Sequence, residues 1–467
     1  MNLWIILLDV DINFNKKLHT CSFFRKQIRL STKSIYFSLT DTGVSTGKNE
    51  NLYPEFPFFI RICGVFHLFT SSTKTITNKI YIIYGPLRFL YQKGVIHMKI
   101  ICSKSDLAEG VNTVMKAVPS KTTMTILECI LIDTSSNVIK LTANDMELGI
   151  ETIIDGKIEE RGVIALDAKL FSEIVRKLPD NEIEITTDSS FRTTIVCEKA
   201  KFNIIGRSGE DFSGLPYIEK NESVAVSEYT LKEVIRQTIF SISDNEANKM
   251  MTGELFEINE NRLRVASLDG HRISIRNIDL KDVYPSRKVV VPGKTLQEIS
   301  RILPGEADRN VDIYFTPNHI LFEFEKTKVV SRLIEGEYFH IDQMLSSDYE
   351  TRVVLNKREF IDCLDRACLF VRENDKRPII MNIQDEIVQM KMSSFIGSMD
   401  EEIEIQKEGK DLMIGFNPKY FMDVMRAIDD EEAVLYMMNP KAPCFVKDEN
   451  ETYIYLILPI NFNTASV

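Results

Sequence analysis

The sequence predicts an α+β fold stated three times: three similar domains, each with two helices and antiparallel sheets. Three observations carry this. After residue 98, three segments of similar length open on amphipathic helix patterns at 105–118, 230–243 and 357–371. Each segment holds a second helix pattern, at 167–178, 293–303 and 418–428. Landmarks also recur in register: Asp145 and Asp269 are 124 residues apart, and Pro179 and Pro304, each closing a second helix, are 125 apart. A unit of that length buries its own core, unlike the short repeats of a solenoid.

The elements follow in chain order. The first domain, 98–222, opens with a strand at Met98 and runs into its helix. Apolar runs at 126–133 and 138–142 read as strands joined at Ser135, Ser136 and Asn137, with Leu148–Ile154 following. The second domain, 223–348, repeats this with strands at 255–258, 263–267 and 272–278 and a turn at 259–261. The third domain, 349–467, is more diverged but keeps "PKYFMDVMRAIDD" as its second helix. Alternating apolar and polar residues at 182–186 and 402–406 mark sheets with one wet face. Such sheets with two helices per unit make an α+β domain.

Residues 1–97 have another character. They are rich in Phe, Ile, Tyr, Lys, Asn and Thr without sustained periodicity. "LWIILLDV" is too short to span a bilayer. The segment reads as an extension, disordered or translated from upstream DNA, with the start at Met98. The second reading is favoured because a clean strand-then-helix begins there, and Lys93-Gly94 require the purine-rich codons that precede a bacterial start.

The net charge of −11 is split. Lys and Arg outnumber Asp and Glu 12 to 5 before Met98, whereas the rest holds 45 against 63. An acidic body argues against gripping phosphates over a broad surface, but not against basic residues gathered on one face. The helices supply such a face. Their polar sides carry Lys169, Arg176 and Lys177; Lys232 and Arg236; Lys294 and Arg301; Lys357, Arg358 and Arg366; Lys419 and Arg426. In the second helix of the first domain, Leu170, Phe171, Ile174, Val175 and Leu178 read as core. Cations on a helix face contact phosphates without reading bases. The eight cysteines include no CxxC pair and no His cluster accompanies them, so reduced thiols and no metal site are expected.

An enzyme is the competing class. Asp269 and His271 stand two apart in "SLDGHR" and could share a strand face. No third ligand, nucleophile or Gly-rich phosphate loop accompanies them. Asp-Gly suits a tight turn between strands, so no catalytic residue is assigned.

Eight patterns in order then carry a resemblance: "MKIICSKSDLAEGVNTVMKAVPSKTTMTIL", "LTANDMELGI", "GRSGEDFSGLP", "VASLDGHRISI", "VVVPGKTLQEISRIL", "RLIEGEYFHIDQML", "IGFNPKYFMDVMRAI" and "YIYLILPI". From Met98 to about Phe462 the chain resembles the bacterial DNA polymerase III beta subunits, the replication sliding clamps. The resemblance implies a non-catalytic, cytoplasmic, nucleoid-associated homodimer. It forms a ring of six domains around duplex DNA, regardless of sequence, with helices inside and no cofactor. Implied partners are the polymerase III alpha subunit, the clamp loader, and other polymerases and mismatch-repair or ligation proteins that dock by short peptides.

Carried onto this chain, the resemblance implies a peptide pocket of Met251, Leu268, Gly270, His271, Arg272 and Ile273, then Phe339, Gln343 and Met344, then Asn417, Tyr420, Leu456, Leu458, Pro459 and Ile460. Phe339 stands where the family commonly has Pro, and Gln343 and Asn461 where Arg is common, which bears on peptide preference. The DNA-facing set is the helix cations above with Lys121 and Lys249. The ring contact would set Phe202 and Ile204 against Leu369 and Phe370, with Lys199 and Lys201 facing Asp400, Glu401, Glu402 and Glu404, an apolar centre with a charged rim.

Overall fold

A computed structural model of the protein describes residues 98–345, 348–371 and 377–462. The expectations for residues 1–97 lie outside the described residues.

Six α-helices occupy the expected places: α1 Lys104–Val114, α2 Ala168–Lys177, α3 Glu228–Thr238, α4 Gly293–Ile302, α5 Lys357–Cys368 and α6 Pro418–Ala427. Their starts are chemical. Side chains of Ser103, Asp167, Ser227, Asn356 and Asn417 each accept a hydrogen bond from a backbone N–H in the first turn. Pro418 sits in the first turn of α6, where its missing N–H costs nothing. Pro179 and Pro304 follow the last residues of α2 and α4 and cannot continue them. The first helix of each repeat is shorter than its apolar pattern. In α1 the excess forms a 3-10 turn, Met115–Ala117, and after α3 another, Ile239–Ser241. The helices pack in pairs, α1 with α2, α3 with α4, α5 with α6, and α3 also meets α6.

Three antiparallel sheets carry the described strands, and two of them cross the repeat boundaries. The first has five strands in the order Lys157–Glu160, Met98–Ser103, Glu182–Thr187, Arg192–Cys197, Ala200–Ile205. The second has nine. Its crossing pairs Leu148–Ile154 of the first repeat with Thr327–Arg332 of the second, Val330 facing Gly149. The third has ten. Arg272–Pro292 of the second repeat pairs with Tyr453–Ile457 of the third, Ile273 facing Leu456. Each crossing joins the same two positions of the repeat, so the join itself is a repeated feature.

Two expectations need correction. The strand expected at 126–133 begins at Cys129, because Thr125–Glu128 forms a 3-10 turn. Leu170 is not core: it is 49% exposed. It lies in line with Glu173 and Lys177 at i+3 and i+7, so the helix period places it on the wet face. The turn expected at 259–261 falls where pairing between Gly253–Leu268 and Arg272–Pro292 changes register, around Glu260 with φ 54°.

One apolar core runs through the first two repeats, from Met98 to Leu333, and a second fills the third repeat around Phe360, Phe416 and Phe421. A smaller cluster lies where the second and third repeats meet, built on Leu268, Ile273, Tyr338, Ile341, Phe445 and Leu456.

Candidate functional site

That smaller cluster gathers much of the expected pocket. Leu268, Ile273 and Leu456 are buried in it, and Met251 and Phe339 pack against it. The hairpin 268–273 supplies one wall. Asp269 shapes it: one carboxylate oxygen accepts the backbone N–H of His271 (2.9 Å) and of Arg272 (3.1 Å), while Gly270 takes φ 87°. Asp269 is therefore a turn former, and the Asp269–His271 pair carries no catalytic arrangement.

Arg272 is the most heavily engaged side chain here. Its guanidinium donates to Asp269 (2.9 Å), to Asp423 of α6 (2.6 Å) and to the carbonyl of Phe240. It also lies over the rings of Tyr420 (4.6 Å) and Phe240 (5.3 Å). His271 stacks on the other partner of this group, Tyr420, with ring centroids 6.2 Å apart. Burial raises the Tyr420 phenol, helped by the charges of Asp269 and Asp423. Asn417 is held as the N-cap of α6, accepting from Lys419 N. The C-terminal strand closes the patch: Leu458 N donates to His271 O (2.9 Å) and Ile460 N to Gly415 O (2.8 Å). Leu458 is 39% and Met344 46% exposed, so both offer apolar surface to a ligand. Gln343 is exposed beside Met344 in the turn Ile341–Met344, and Pro459 and Ile460 are half-buried. The arrangement suits binding more than catalysis: an apolar floor, two aromatic rings and an arginine whose bonds are already made.

Two stretches of strand, one in the first repeat and one in the third, have an open edge among the described residues. Among the described residues, Ala200–Ile205 pairs only with Arg192–Cys197, and 397–404 only with Ile387–Ser394. Phe202 is 37% and Leu369 74% exposed. Ile204 is half-buried, and the Phe370 ring fills the space where Gly397 would carry a Cβ. Lys199, Lys201, Asp400, Glu402 and Glu404 are exposed. Glu401 is different: it is bound to Arg366 within the protomer, which holds its carboxyl below the usual range. Sequence reasoning missed Ile205, Phe395 and Ile396, all large, apolar and exposed beside these edges. The signal was present at residues 395 and 396, since a hairpin tip normally takes Gly, Asn or Asp.

Of the fourteen expected DNA-facing cations, Lys232, Arg236 and Lys357 are half-buried and the others exposed. The half-buried three have structural duties. Lys232 donates to Leu303 O and Lys357 to Ile428 O, capping the ends of α4 and α6. Arg236 bonds Glu233 within α3, and Asp429 and Arg426 O across the second boundary. Arg176 and Lys177 share Glu173, Arg301 pairs with Glu298, Lys294 with Asp145, and Arg366 with Glu401. Lys169, Arg358, Lys419 and Arg426, with Lys121 and Lys249 in turns, have no ion partner among the described residues. The helix side is thus mixed in charge, with a subset of uncommitted cations.

Three family models cover almost all of the described chain: the N-terminal domain of the DNA polymerase III beta subunit over residues 98–216, its central domain over 225–340 and its C-terminal domain over 342–461. The chain belongs to the DNA polymerase III beta subunit family. It is similar to the beta sliding clamp of Staphylococcus epidermidis, 33% identical over 374 residues that span 78% of this chain and 99% of that one. A crystal structure of a DNA polymerase III beta subunit from Eubacterium rectale matches at 71% identity and TM-score 0.76, covering 78% of this chain and all of that one. The Bacillus subtilis DNA polymerase sliding clamp matches at 33% identity and TM-score 0.76, over 79% of this chain and all of that one. As a member of the family the protein is a sliding clamp, a processivity factor with no catalysis of its own. Among the described residues no group of His, Cys, Asp or Glu is arranged to hold a metal, and no helix is long and apolar enough to cross a membrane.

Proposed function

We propose that two copies of this chain close head to tail into a ring of six domains around duplex DNA. The ring tethers the polymerase III alpha subunit, and the clamp loader, other polymerases and mismatch-repair or ligation proteins use the same pocket. The carrying observation is the rule by which the repeats join. Inside the chain, the last strand of one repeat pairs with the hairpin strand of its neighbour, twice, at equivalent positions. Continuing that rule leaves 200–205 of one copy for 397–404 of the other. Aligning Asn203 with Val330 sets Lys201 near Asp400 and Phe202 near Met399. A head-to-tail contact closes when its rotation permits, and the exposed apolar residues at both edges give it a centre.

In this reading Lys121, Lys169, Lys249, Arg358, Lys419 and Arg426 meet phosphates without reading bases. The other cations hold helix ends and neighbours in place. The patch around Leu268, Ile273, Leu456, His271, Tyr420, Met344 and Leu458 takes peptides with Leu and Phe anchors and a Gln. The protein works at the nucleoid. Sedimentation of the full chain tests the ring: the reading expects a dimer, and a monomer at micromolar concentration would contradict it.

A further inference from the structure

Beside the apolar cluster at the second repeat boundary lies a cleft of about 660 Å3. Its lining includes Leu345 and Ile454, which also belong to that cluster, so the cleft and the pocket share a wall. The rest of the lining is mostly polar and includes four cations: Arg262, Arg264, Arg287 and Lys288. We propose that this cleft receives an acidic stretch flanking the apolar anchors of a partner peptide. The proposal rests on the pocket reading above and adds a requirement on the partner's chemistry.

The cations have capacity to spare. Arg262 is exposed and has no hydrogen-bond or ion partner among the described residues. Arg264 is mostly buried, holds Glu257 at 3.7 Å, and its Nε has no hydrogen-bond partner among the described residues. Lys288 holds Glu257 only at 3.7 Å and Arg287 holds Glu222 only at 3.5 Å. A carboxylate already occupies the position: Asp342 accepts from Arg264 Nη1 at 2.7 Å. Asp342 is 79% exposed at its side chain and immediately precedes Gln343 and Met344 of the pocket. A partner carboxylate arriving from the pocket can displace it or add to it, since bidentate arginine contacts suit carboxylates. The same lining disfavours a nucleic acid strand. Glu257, Asp342 and Glu451 stand among the cations, and a backbone charged at every step meets all three, whereas a peptide can space its acids.

The test uses the full chain and a fluorescein-labelled peptide with Gln, Leu and Phe anchors. The peptide is measured bare, with three glutamates added at either end, and with three glutamines added as control. Exposed charge contacts of this kind should raise affinity by roughly three- to tenfold at low salt. The gain should come from one glutamate tail only and disappear in high salt. It should also vanish in the double variant R262E/K288E while the bare peptide binds that variant as it binds the parent. Equal binding of bare and tailed peptides to the parent overturns the proposal and leaves the pocket standing. A gain that survives in the double variant also overturns it. Binding of none of the peptides removes the pocket reading and this proposal together. Displacement of the tailed peptide alone by a single-stranded oligonucleotide would assign the cleft to nucleic acid and overturn it as well.

Discussion

At the scale of single residues, Glu254 is the group with the most to lose from ionisation. It is fully buried on a strand of the second repeat, one carboxylate oxygen without a partner and the other accepting from the Thr238 hydroxyl at 3.1 Å. Burial pushes its acid up to about 8, against the smaller opposing effect of Thr238, and the buried Tyr338 phenol is the nearby titratable group. The folded state therefore holds a proton that the unfolded chain releases near the ordinary Glu value. Stability should fall as pH rises from about 4.5 to about 8 and level off above, since the folded state binds more protons throughout that window. Glu254→Gln keeps the shape of the protonated acid. Thermal melts of the variant and parent should coincide near pH 4.5 and separate in the variant's favour by at least about 1 kcal/mol at pH 8.5. A constant difference across pH would show that the acid does not titrate in this way. Arg272 makes the opposite case, a charge whose partners are all present. Arg272→Met leaves Asp269 and Asp423 uncompensated and should destabilise the protein by about 2–4 kcal/mol. Met344→Lys, at an exposed position, should change stability by less than about 0.5 kcal/mol. It should nevertheless weaken an anchor peptide strongly, and unchanged peptide affinity would move the pocket elsewhere.

At the scale of elements, the proposed assembly rests on the two edges and their exposed apolar residues. Leu369→Ala with Phe370→Ala empties the expected centre of the contact. Large-to-small changes in a buried interface cost about 2–5 kcal/mol each, so the dimer should dissociate at concentrations where the parent holds. The protomer's melting should shift less, because Leu369 is mostly exposed within one chain. Sedimentation velocity at low concentration reads the difference. The helices were the most legible elements in the chain, because the apolar period and the prolines after α2 and α4 agree; the caps at Ser103, Ser227 and Asn417 came from the structure. What the chain hid follows from packing. Leu170 fits an apolar run but lies on the wet side of α2. Thr125–Glu128 has the composition of a strand, yet its backbone turns. The engagement of Arg272, and of Arg366 with Glu401, depends on residues 151 and 35 positions away, which no local pattern reveals. The pocket residues became legible only through the family resemblance, since their assembly is set by the joining of two repeats.

At the scale of the whole molecule, two internal joins built alike leave an edge without a partner among the described residues in the first repeat and another in the third, and in the proposed ring a second copy completes both. Retention on DNA then depends on closure and not on grip. An acidic body holds DNA poorly from outside, and a few uncommitted helix cations permit sliding within. The most direct test loads the protein with a bacterial clamp loader onto a singly nicked circular plasmid, isolates the complex, and cuts the plasmid once. The account predicts that the protein stays on the circle and leaves once the DNA is linear, whatever its sequence. Equal retention on circular and linear DNA, or tight binding to one particular sequence, would contradict it.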